Sequence, residues 1–332
     1  MKLHRAVLRA CAVMLVSTVA MTGAMTGAAS AASYELNINT ALTTDDPIYK
    51  GLERLRDRVA ERTGGELAIR IFPGSQLGKD EDVLEQARAG ANVAVVVDGG
   101  RLAVFVPEFG VLGGPYLVSG FDQVRKIVTS PMFDAWNAKL KAASGHTALS
   151  FNWWQGDRNL LTNRAVTGPA DLAGVRMRTP GAPVWMETIR AMGATPTPMG
   201  WAEVYPALQQ QVIDAVEAQT PAAYGARLYE VTSHLTKTAH ISLITGLVTS
   251  AAWVDSLPAE MQTALKEESL AAGDYASGLT GESIVALEAD MASKGMTVTE
   301  IDVTPFREAT AGVYELLGYT ELKQTIDAML AE

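Results

Sequence analysis

Cysteine is almost absent from this chain of 332 residues, and the single one is Cys11, near the amino terminus. It falls within a segment that we expect to be removed, so the remaining chain has none. Disulfides, thiol catalysis and zinc–thiolate sites are then excluded. About 300 residues can nevertheless bury a large core or two without covalent links.

Residue patterns that commonly carry catalysis are missing as well. Beyond residue 31 the only histidines are His146, His234 and His240. There is no Gly-x-Ser-x-Gly, no His-Glu-x-x-His and no glycine-rich loop of the phosphate- or dinucleotide-binding kind. We therefore expect no enzymatic activity, no cofactor and no metal site.

The first 31 residues have the features of an export signal. Lys2, Arg5 and Arg9 precede an apolar stretch, and small residues at 29–31 fit the signal-peptidase rule, which predicts cleavage after Ala31. A membrane anchor is the alternative, but the segment is diluted by Gly and Thr, and no later stretch reaches the roughly 18 apolar residues of a spanning helix. We expect a soluble protein exported to the periplasm.

Positive charge is also scarce. The signal segment carries three of the 27 Lys and Arg and none of the 37 Asp and Glu, so the exported chain has a net charge of 24 − 37 = −13. Nucleic acid and anionic lipid are poor partners for a protein with this negative net charge, because like charges repel. A site for an anion would need a few arginines concentrated locally.

Strand and helix patterns alternate along the chain. Strands are predicted at 34–40, 67–72, 93–97, 147–151, 175–178 and 213–217, and helices at 48–59, 80–90, 122–143, 182–192 and 201–211. The apolar run at 93–97 is typical of a strand buried on both faces of a parallel sheet. This order predicts an α/β architecture.

Residues 258–293 form a long run with few helix breakers. Its length exceeds that of an ordinary globular helix, which favours an element that crosses between two lobes. Gly273, Gly278 and Gly281 weaken its middle, where a bend is plausible.

Two arginines, Arg158 and Arg178, stand among strand and turn signals rich in Gly, Pro and aromatic residues. The aromatic neighbours are Trp153, Trp154 and Trp201. A guanidinium presents a planar fork of donors that can hold a carboxylate through two parallel hydrogen bonds. The stretch 156–219 is therefore a candidate site for a small organic acid.

Several motifs then resemble one family. They are Trp-Gln-Gly-Asp-Arg at 154–158, Asp-Leu-Ala-Gly-Val-Arg-Met-Arg-Thr-Pro at 171–180, Gly-Ala-Thr-Pro-Thr-Pro-Met at 193–199, Glu-Val-Tyr-Pro-Ala-Leu at 203–208, Ser-Gln-Leu-Gly at 75–78 and Leu-Pro-Ala-Glu at 257–260. Their order and intervals resemble the periplasmic solute-binding proteins of TRAP transporters, the DctP family. The resemblance covers nearly the whole exported chain.

This resemblance implies a two-lobed, type II-like binding protein whose cleft closes on an organic acid before it docks on a separate permease. It assigns the carboxylate clamp to Arg178, a second site arginine to Arg158 and a ligand-packing aromatic to Trp201. Contacts from the first lobe would fall on Asp80, Asp98 and Arg101. We expect residues 32–155 with about 244–283 to form lobe I, and 156–243 with about 284–332 to form lobe II.

The structural alternatives for these residues stay open at this stage. Either arginine could be an ion-pair residue, with Asp157 as a local partner of Arg158, and Asp98 and Arg101 could simply bridge each other. Trp201 could be core filler. Because Trp153 and Trp154 are adjacent in a strand, one should face the core and the other the cleft.

The identity of the acid is left open by the sequence. Sialic-acid-binding relatives have an Asn where this chain has Ala218, so sialic acid is disfavoured, and Gln219 could supply a similar contact only from an offset position. We expect a C4-dicarboxylate or a hydroxylated acid such as a sugar acid, with a sulfonate as a further possibility. Expected partners are the small and large TRAP membrane subunits, and the protein is expected to be a monomer. An ABC permease or sensor, or a periplasmic enzyme acting on organic acids, are the alternatives.

Overall fold

The computed structural model describes residues 32–332, so the proposed export signal lies outside the described residues. Its strands are β1 Tyr34–Asn39, β2 Leu67–Phe72, β3 Val93–Asp98, β4 His146–Thr162, β5 Arg176–Thr179, β6 Thr195–Pro198, β7 Ala215–Gln219, β8 His234–Ser250 and β9 Thr297–Glu300. Its helices are α1 Pro47–Arg62, α2 Asp80–Arg88, α3 Gly99–Leu102, α4 Phe121–Val128, α5 Pro131–Ser144, α6 Pro183–Ala191, α7 Val204–Gln209, α8 Thr220–Gly225, α9 Ala251–Ser256, α10 Ala259–Ser293, α11 Thr304–Thr310, α12 Val313–Leu316 and α13 Thr320–Ala331. Short 3-10 turns lie at Pro107–Gly113, Pro169–Leu172, Trp201–Glu203 and Leu228–Glu230.

All the strands join in one sheet, in the order β2-β1-β3-β8-β4-β7-β5-β6, with β9 beside β8. β1 is parallel to both β2 and β3, and β5 is parallel to both β6 and β7. The two parallel groups are joined by the antiparallel pair β4 and β8, each 17 residues long. The predicted α/β fold class is confirmed.

Apolar residues pack on both faces of each parallel group. In β3, Val95 and Val97 belong to one cluster and Ala94 and Val96 to another, as expected for a strand covered on both sides. In the second group, Val216 and Ala215 likewise enter two different clusters. The sheet therefore carries separate cores at its two ends.

The long helix is continuous. α10 has 35 residues and starts directly after Pro258, in agreement with the prediction of a helix over 258–293. Its glycines do not interrupt it, and Gly273 is required for packing, because a Cβ there would lie 2.4 Å from Asn152 Oδ1. None of the helices described here combines the length and the apolar character needed to cross a bilayer.

Two predicted elements differ most from the structure, and one long strand was missed. The single helix expected at 122–143 is two helices, because α4 ends at Val128 and α5 begins at Pro131. A proline cannot continue a preceding helix, since its nitrogen has no hydrogen to donate. The strand expected at 147–151 extends to Thr162 in β4, and β8 was not predicted. Both long strands are irregular near the middle of the sheet, where Gly156 has a φ of 97° and the pairing register shifts.

Candidate functional site

A cavity lies beside the middle of the sheet, where β1, β3, β5 and β7 end and β4 and β8 change register. It is lined by Thr40, Ala41, Leu42, Asp80, Val96, Asp98, Arg101, Gln155, Arg158, Arg178, Pro180, Trp185, Trp201, Gln219, Ala222, Leu243 and Thr245. The carboxyl ends of parallel strands are a common place for ligands in α/β folds. Seven of the nine sequence-predicted site residues line this cavity, and Trp153 and Trp154 do not.

Arg178 lies near the end of β5 and is 2% exposed. Its Nε and Nη2 both donate to the carbonyl oxygen of Met199, at 3.1 and 3.0 Å, and its Cζ is 5.2 Å from the ring centroid of Trp201. Within residues 32–332 no carboxylate oxygen lies within 4.0 Å of this guanidinium. Burial, together with the nearby charge of Arg158, lowers the pKa of Arg178 to about 9.

That environment disfavours the positive charge without removing it, because an arginine with a pKa of about 9 is still protonated at pH 7. A buried charge is normally paired, and an anion bound in the cavity would supply the missing partner. The charge of Arg178 therefore has no compensating carboxylate within 4.0 Å among residues 32–332.

Arg158, in contrast, already has a carboxylate. Its Nη2 donates to Glu217 Oε1 at 2.7 Å, its Nε donates to Glu217 Oε2, and its Nη1 donates to Gln219 Oε1 at 3.0 Å. The ring of Trp185 lies 4.4 Å from Arg158 Cζ. Asp157, the expected local partner, is not the one observed. The strand pairing explains this, since β4 and β7 place residues 217 and 219 on one face beside Arg158.

Glu217, the carboxylate partner of Arg158, is fully buried. Burial is the largest single influence and would raise its pKa, but the charge and hydrogen bonds of Arg158 together with the nearby His240 outweigh burial and lower the pKa of Glu217 to about 2. His240 Nε2 is 3.7 Å from Glu217 Oε2, too far for a hydrogen bond, and has no other partner among the described residues. Glu217 therefore compensates the charge of Arg158 at neutral pH.

Arg101 is surrounded by carboxylates. It contacts Asp98 through Nη1, Glu81 Oε1 through Nε at 2.8 Å, and Asp80 Oδ2 through Nη2 at 3.4 Å. Burial opposes the charge, but these three carboxylates raise the pKa of Arg101. Asp98 and Arg101 thus bridge each other, as one of the two sequence interpretations proposed, and both still line the cavity.

Asp80 is an acidic group of the cavity with one carboxylate oxygen that is free, within the described part of the chain, to accept a hydrogen bond from a ligand. Its Oδ1 is buried and accepts no hydrogen bond from residues 32–332. Burial, opposed by the charge of Arg101, raises the pKa of Asp80 to about 6. This oxygen can accept a hydrogen bond from a ligand hydroxyl or amine.

The expectation that one of the paired tryptophans faces the cleft is corrected by the structure. Trp153 is fully buried in the cluster on one face of the sheet, and its Nε1 donates to Ser150 Oγ at 2.8 Å. Trp154 lies in the cluster on the opposite face and donates to Ser242 Oγ at 2.8 Å. They do alternate across the strand, but helices cover both faces there.

Other aromatic and amide groups line the cavity instead. Trp201 is half-buried and forms a wall beside Arg178. Gln219 bridges Arg158 and Gln155, donating to Gln155 Oε1 at 2.6 Å. Trp185 and Gln155 were missed by sequence reasoning; Gln155 stood inside a quoted motif, and Trp185 follows Arg178 by seven residues.

A family model for bacterial extracellular solute-binding proteins of family 7, DctP, matches residues 38–320. The chain belongs to this family. A TRAP periplasmic solute-binding protein of Escherichia fergusonii, solved in an apo open form, is 47% identical and superposes with a TM-score of 0.79, covering 89% of this chain and 99% of that one. One of Ochrobacterium anthropi with bound L-fuconate is 31% identical, with a TM-score of 0.86 and coverage of 90% and 99%. The C4-dicarboxylate-binding periplasmic protein of Rhodobacter capsulatus is 29% identical over 301 residues, 90% of this chain and 87% of that protein.

These likenesses confirm the predicted family, the two-lobed fold and the function as a TRAP receptor for small organic acids. Members of the family are substrate-binding receptors that work with TRAP membrane permeases, and the named homologues are periplasmic. The present structure is closer in shape to the ligand-bound relative than to the open one, although the open one is more similar in sequence.

Proposed function

We propose that this receptor binds a hydroxylated monocarboxylate of the sugar-acid type, with Arg178 holding the carboxylate. The observation that carries the proposal is the buried guanidinium of Arg178, which has no protein carboxylate within 4.0 Å in the described part of the chain. A bidentate pair with a carboxylate is strong in a site from which water is excluded.

The charge balance of the cavity favours one carboxylate over two. Of its three arginines, Arg158 is compensated by Glu217, and Arg101 is compensated by Asp98 with Asp80 nearby. A second ligand carboxylate would meet acidic groups without a vacant positive partner. This disfavours a C4-dicarboxylate, one of the other acids that the sequence allowed.

The remaining polar groups suit hydroxyls. No group of residues 32–332 donates to Asp80 Oδ1, and Gln155, Gln219 and Thr245 offer amide and hydroxyl groups in the same cavity. Trp201 and Trp185 provide flat apolar walls. Solved relatives contain L-fuconate and L-galactonate, which are hydroxylated monocarboxylates, and both are 31% identical to this chain.

A calorimetric panel tests the ligand class. We expect L-galactonate, L-fuconate or D-glucuronate to bind, and succinate and malate to bind at least about tenfold more weakly, because a second buried carboxylate faces like charge. Purified residues 32–332 would be titrated with each acid at one pH and salt concentration. Tighter binding of succinate than of every hydroxylated monocarboxylate would overturn the proposal.

Binding should also depend on the ionisation of Asp80. A carboxylate accepts hydrogen bonds from hydroxyls better than the protonated acid does, so affinity is expected to fall as the pH drops through about 6, the raised pKa of Asp80. Asp80→Asn should flatten this pH dependence. Glu85→Gln, an exposed change on the same helix α2, is the matched control and should leave the wild-type profile intact. A profile unchanged in Asp80→Asn would assign the titration to another group.

The two lobes are also part of the proposal. The group β1, β2 and β3 with its two clusters would form lobe I, and the group β5, β6 and β7 would form lobe II, with β4, β8 and α10 passing between them. One boundary needs revision, because Ile326 of α13 packs in the cluster of lobe I, not with lobe II as the range 284–332 required. We further propose export with cleavage near Ala31, action as a monomer, and delivery to the small and large TRAP membrane subunits.

A further inference from the structure

Trp185 lies between the ligand cavity and two glycines, Gly100 and Gly113. It lies on α6 and is 1% exposed, with one face against the guanidinium of Arg158. Its Nε1 is buried and has no hydrogen-bond partner among residues 32–332. A buried N–H without a partner is rare in folded proteins, so the position calls for an explanation.

The indole edge is seated against the backbone of two glycines that belong to the proposed lobe I. A Cβ added to Gly100 would lie 2.7 Å from Trp185 Nε1, and one added to Gly113 would lie 2.8 Å from it. Both distances are shorter than real side chains tolerate. Neither glycine has a positive φ, so glycine is needed at these positions for space and not for backbone conformation.

Gly113 is the more informative of the two. The three atoms nearest to its added Cβ all belong to α6, namely Trp185 Nε1, Trp185 Cδ1 and Val184 Cγ1. Gly113 does not line the ligand cavity. A methyl group there would therefore touch only α6 of the opposite lobe, and of the cavity lining it would touch only Trp185.

We propose that Trp185, seated on Gly100 and Gly113, is a positioning residue through which the closed arrangement of the lobes is coupled to the ligand site. One side of the indole supports Arg158, and its edge meets the helix that carries Arg101. Closure brings these walls together and removes the indole N–H from water, so we expect the closed form to be a minority of the unliganded molecules but to be present. The inference rests on the proposed function and deepens it.

The test is Gly113→Ala, with Gly168→Ala as the control. A Cβ at Gly168 has no atom within 4 Å, and that glycine lies on the surface turn before residue 169. If overpacking holds the lobes apart, Gly113→Ala should bind L-galactonate about 5- to 150-fold more weakly than the wild type. Gly168→Ala should match the wild type. Equal affinity in Gly113→Ala and the wild type would overturn the proposal.

A double-mutant cycle separates this contact from a general loss of folding. Trp185→Phe removes the pyrrole edge that meets Gly113, so adding Gly113→Ala to Trp185→Phe should cause little further loss. A full additional loss in that background would show that the methyl group acts elsewhere, and the proposal would fail.

The distance between the two lobes can be measured independently of the ligand affinity. Residues 32–332 contain no cysteine, so spin labels can be placed on Val104→Cys and Val212→Cys, which replace side chains 73% and 52% exposed in the two proposed lobes. Ligand should shift the wild-type distance distribution, and Gly113→Ala should reduce that shift.

If no acid of the panel binds the wild type, the proposed function fails. The inference about Trp185 is then tested by the distance distributions of the unliganded proteins. Gly113→Ala should then deplete the closed population, while an identical distribution in both proteins, or none closed in the wild type, overturns the inference.

Discussion

Arg178→Ala is expected to weaken binding of the acid by about 2–5 kcal/mol, which is roughly 30-fold to several thousand-fold in the dissociation constant. The reason lies in the site, where the guanidinium is buried, lines the cavity and has no carboxylate partner in the described part of the chain. Without it, the carboxylate of the ligand would be buried unpaired beside Asp80. Isothermal titration with the tightest acid of the panel measures the loss.

Two further variants test whether the loss of affinity is specific to the guanidinium of Arg178. Arg178→Lys should lose much of the same affinity, because an ammonium cannot form the planar bidentate pair. Arg176→Ala is the matched control, since Arg176 is two residues away on β5 but is 48% exposed and paired with Asp214. Wild-type affinity in Arg178→Ala would refute its assignment as the clamp, as would an equal loss in Arg176→Ala.

The second large effect concerns stability. Glu217→Ala is expected to reduce the free energy of unfolding by about 3–5 kcal/mol, because it leaves the charge of Arg158 buried without its carboxylate. Both members of this pair are nearly or fully buried, at 4% and 0% side-chain exposure. Asp214→Ala breaks a similar pair that is 48% and 41% exposed, so its cost should be only about 0–1 kcal/mol. Denaturant unfolding compares the two.

The same pair predicts a dependence on acid. The pKa of Glu217 in the folded protein is about 2, below the ordinary value of 4.5 for a glutamate side chain. The unfolded chain therefore takes up a proton first as the pH falls, and the stability that Glu217 contributes is complete above about 4.5 and is lost toward 2. Glu217→Ala should lack that part of the acid transition. An equally steep loss in this variant would show that other carboxylates are responsible.

Local patterns in the sequence were sufficient for much of the fold. The apolar run of β3 and the breaker-poor stretch of α10 depend on neighbouring residues, and both were predicted within a residue or two. β8 was missed because its 17 residues mix Thr, Lys and His with apolar residues, and its partners β3 and β4 lie far away in the sequence. Such a strand is defined by pairing more than by its own pattern.

In the candidate site, too, the sequence predicted some residues but not the contacts between them. Arg178, Arg158 and Trp201 could be proposed from motifs, but the difference between the two arginines could not. It arises because β4 pairs with β7 and brings Glu217 to Arg158 from 59 residues away. Trp153 and Trp154 were misassigned because a strand that is covered on both faces has no open side for either of them.

The outermost strand β6 has a consequence for how the protein behaves at high concentration. Its sequence is Thr-Pro-Thr-Pro, and Thr195 turns its N–H inward to Val175, so the nitrogens of Pro196 and Pro198 occupy the outer side. A proline nitrogen has no hydrogen to donate, and a strand from another molecule would find no regular ladder there. This border of the sheet resists the strand-to-strand stacking that leads to amyloid-like aggregates.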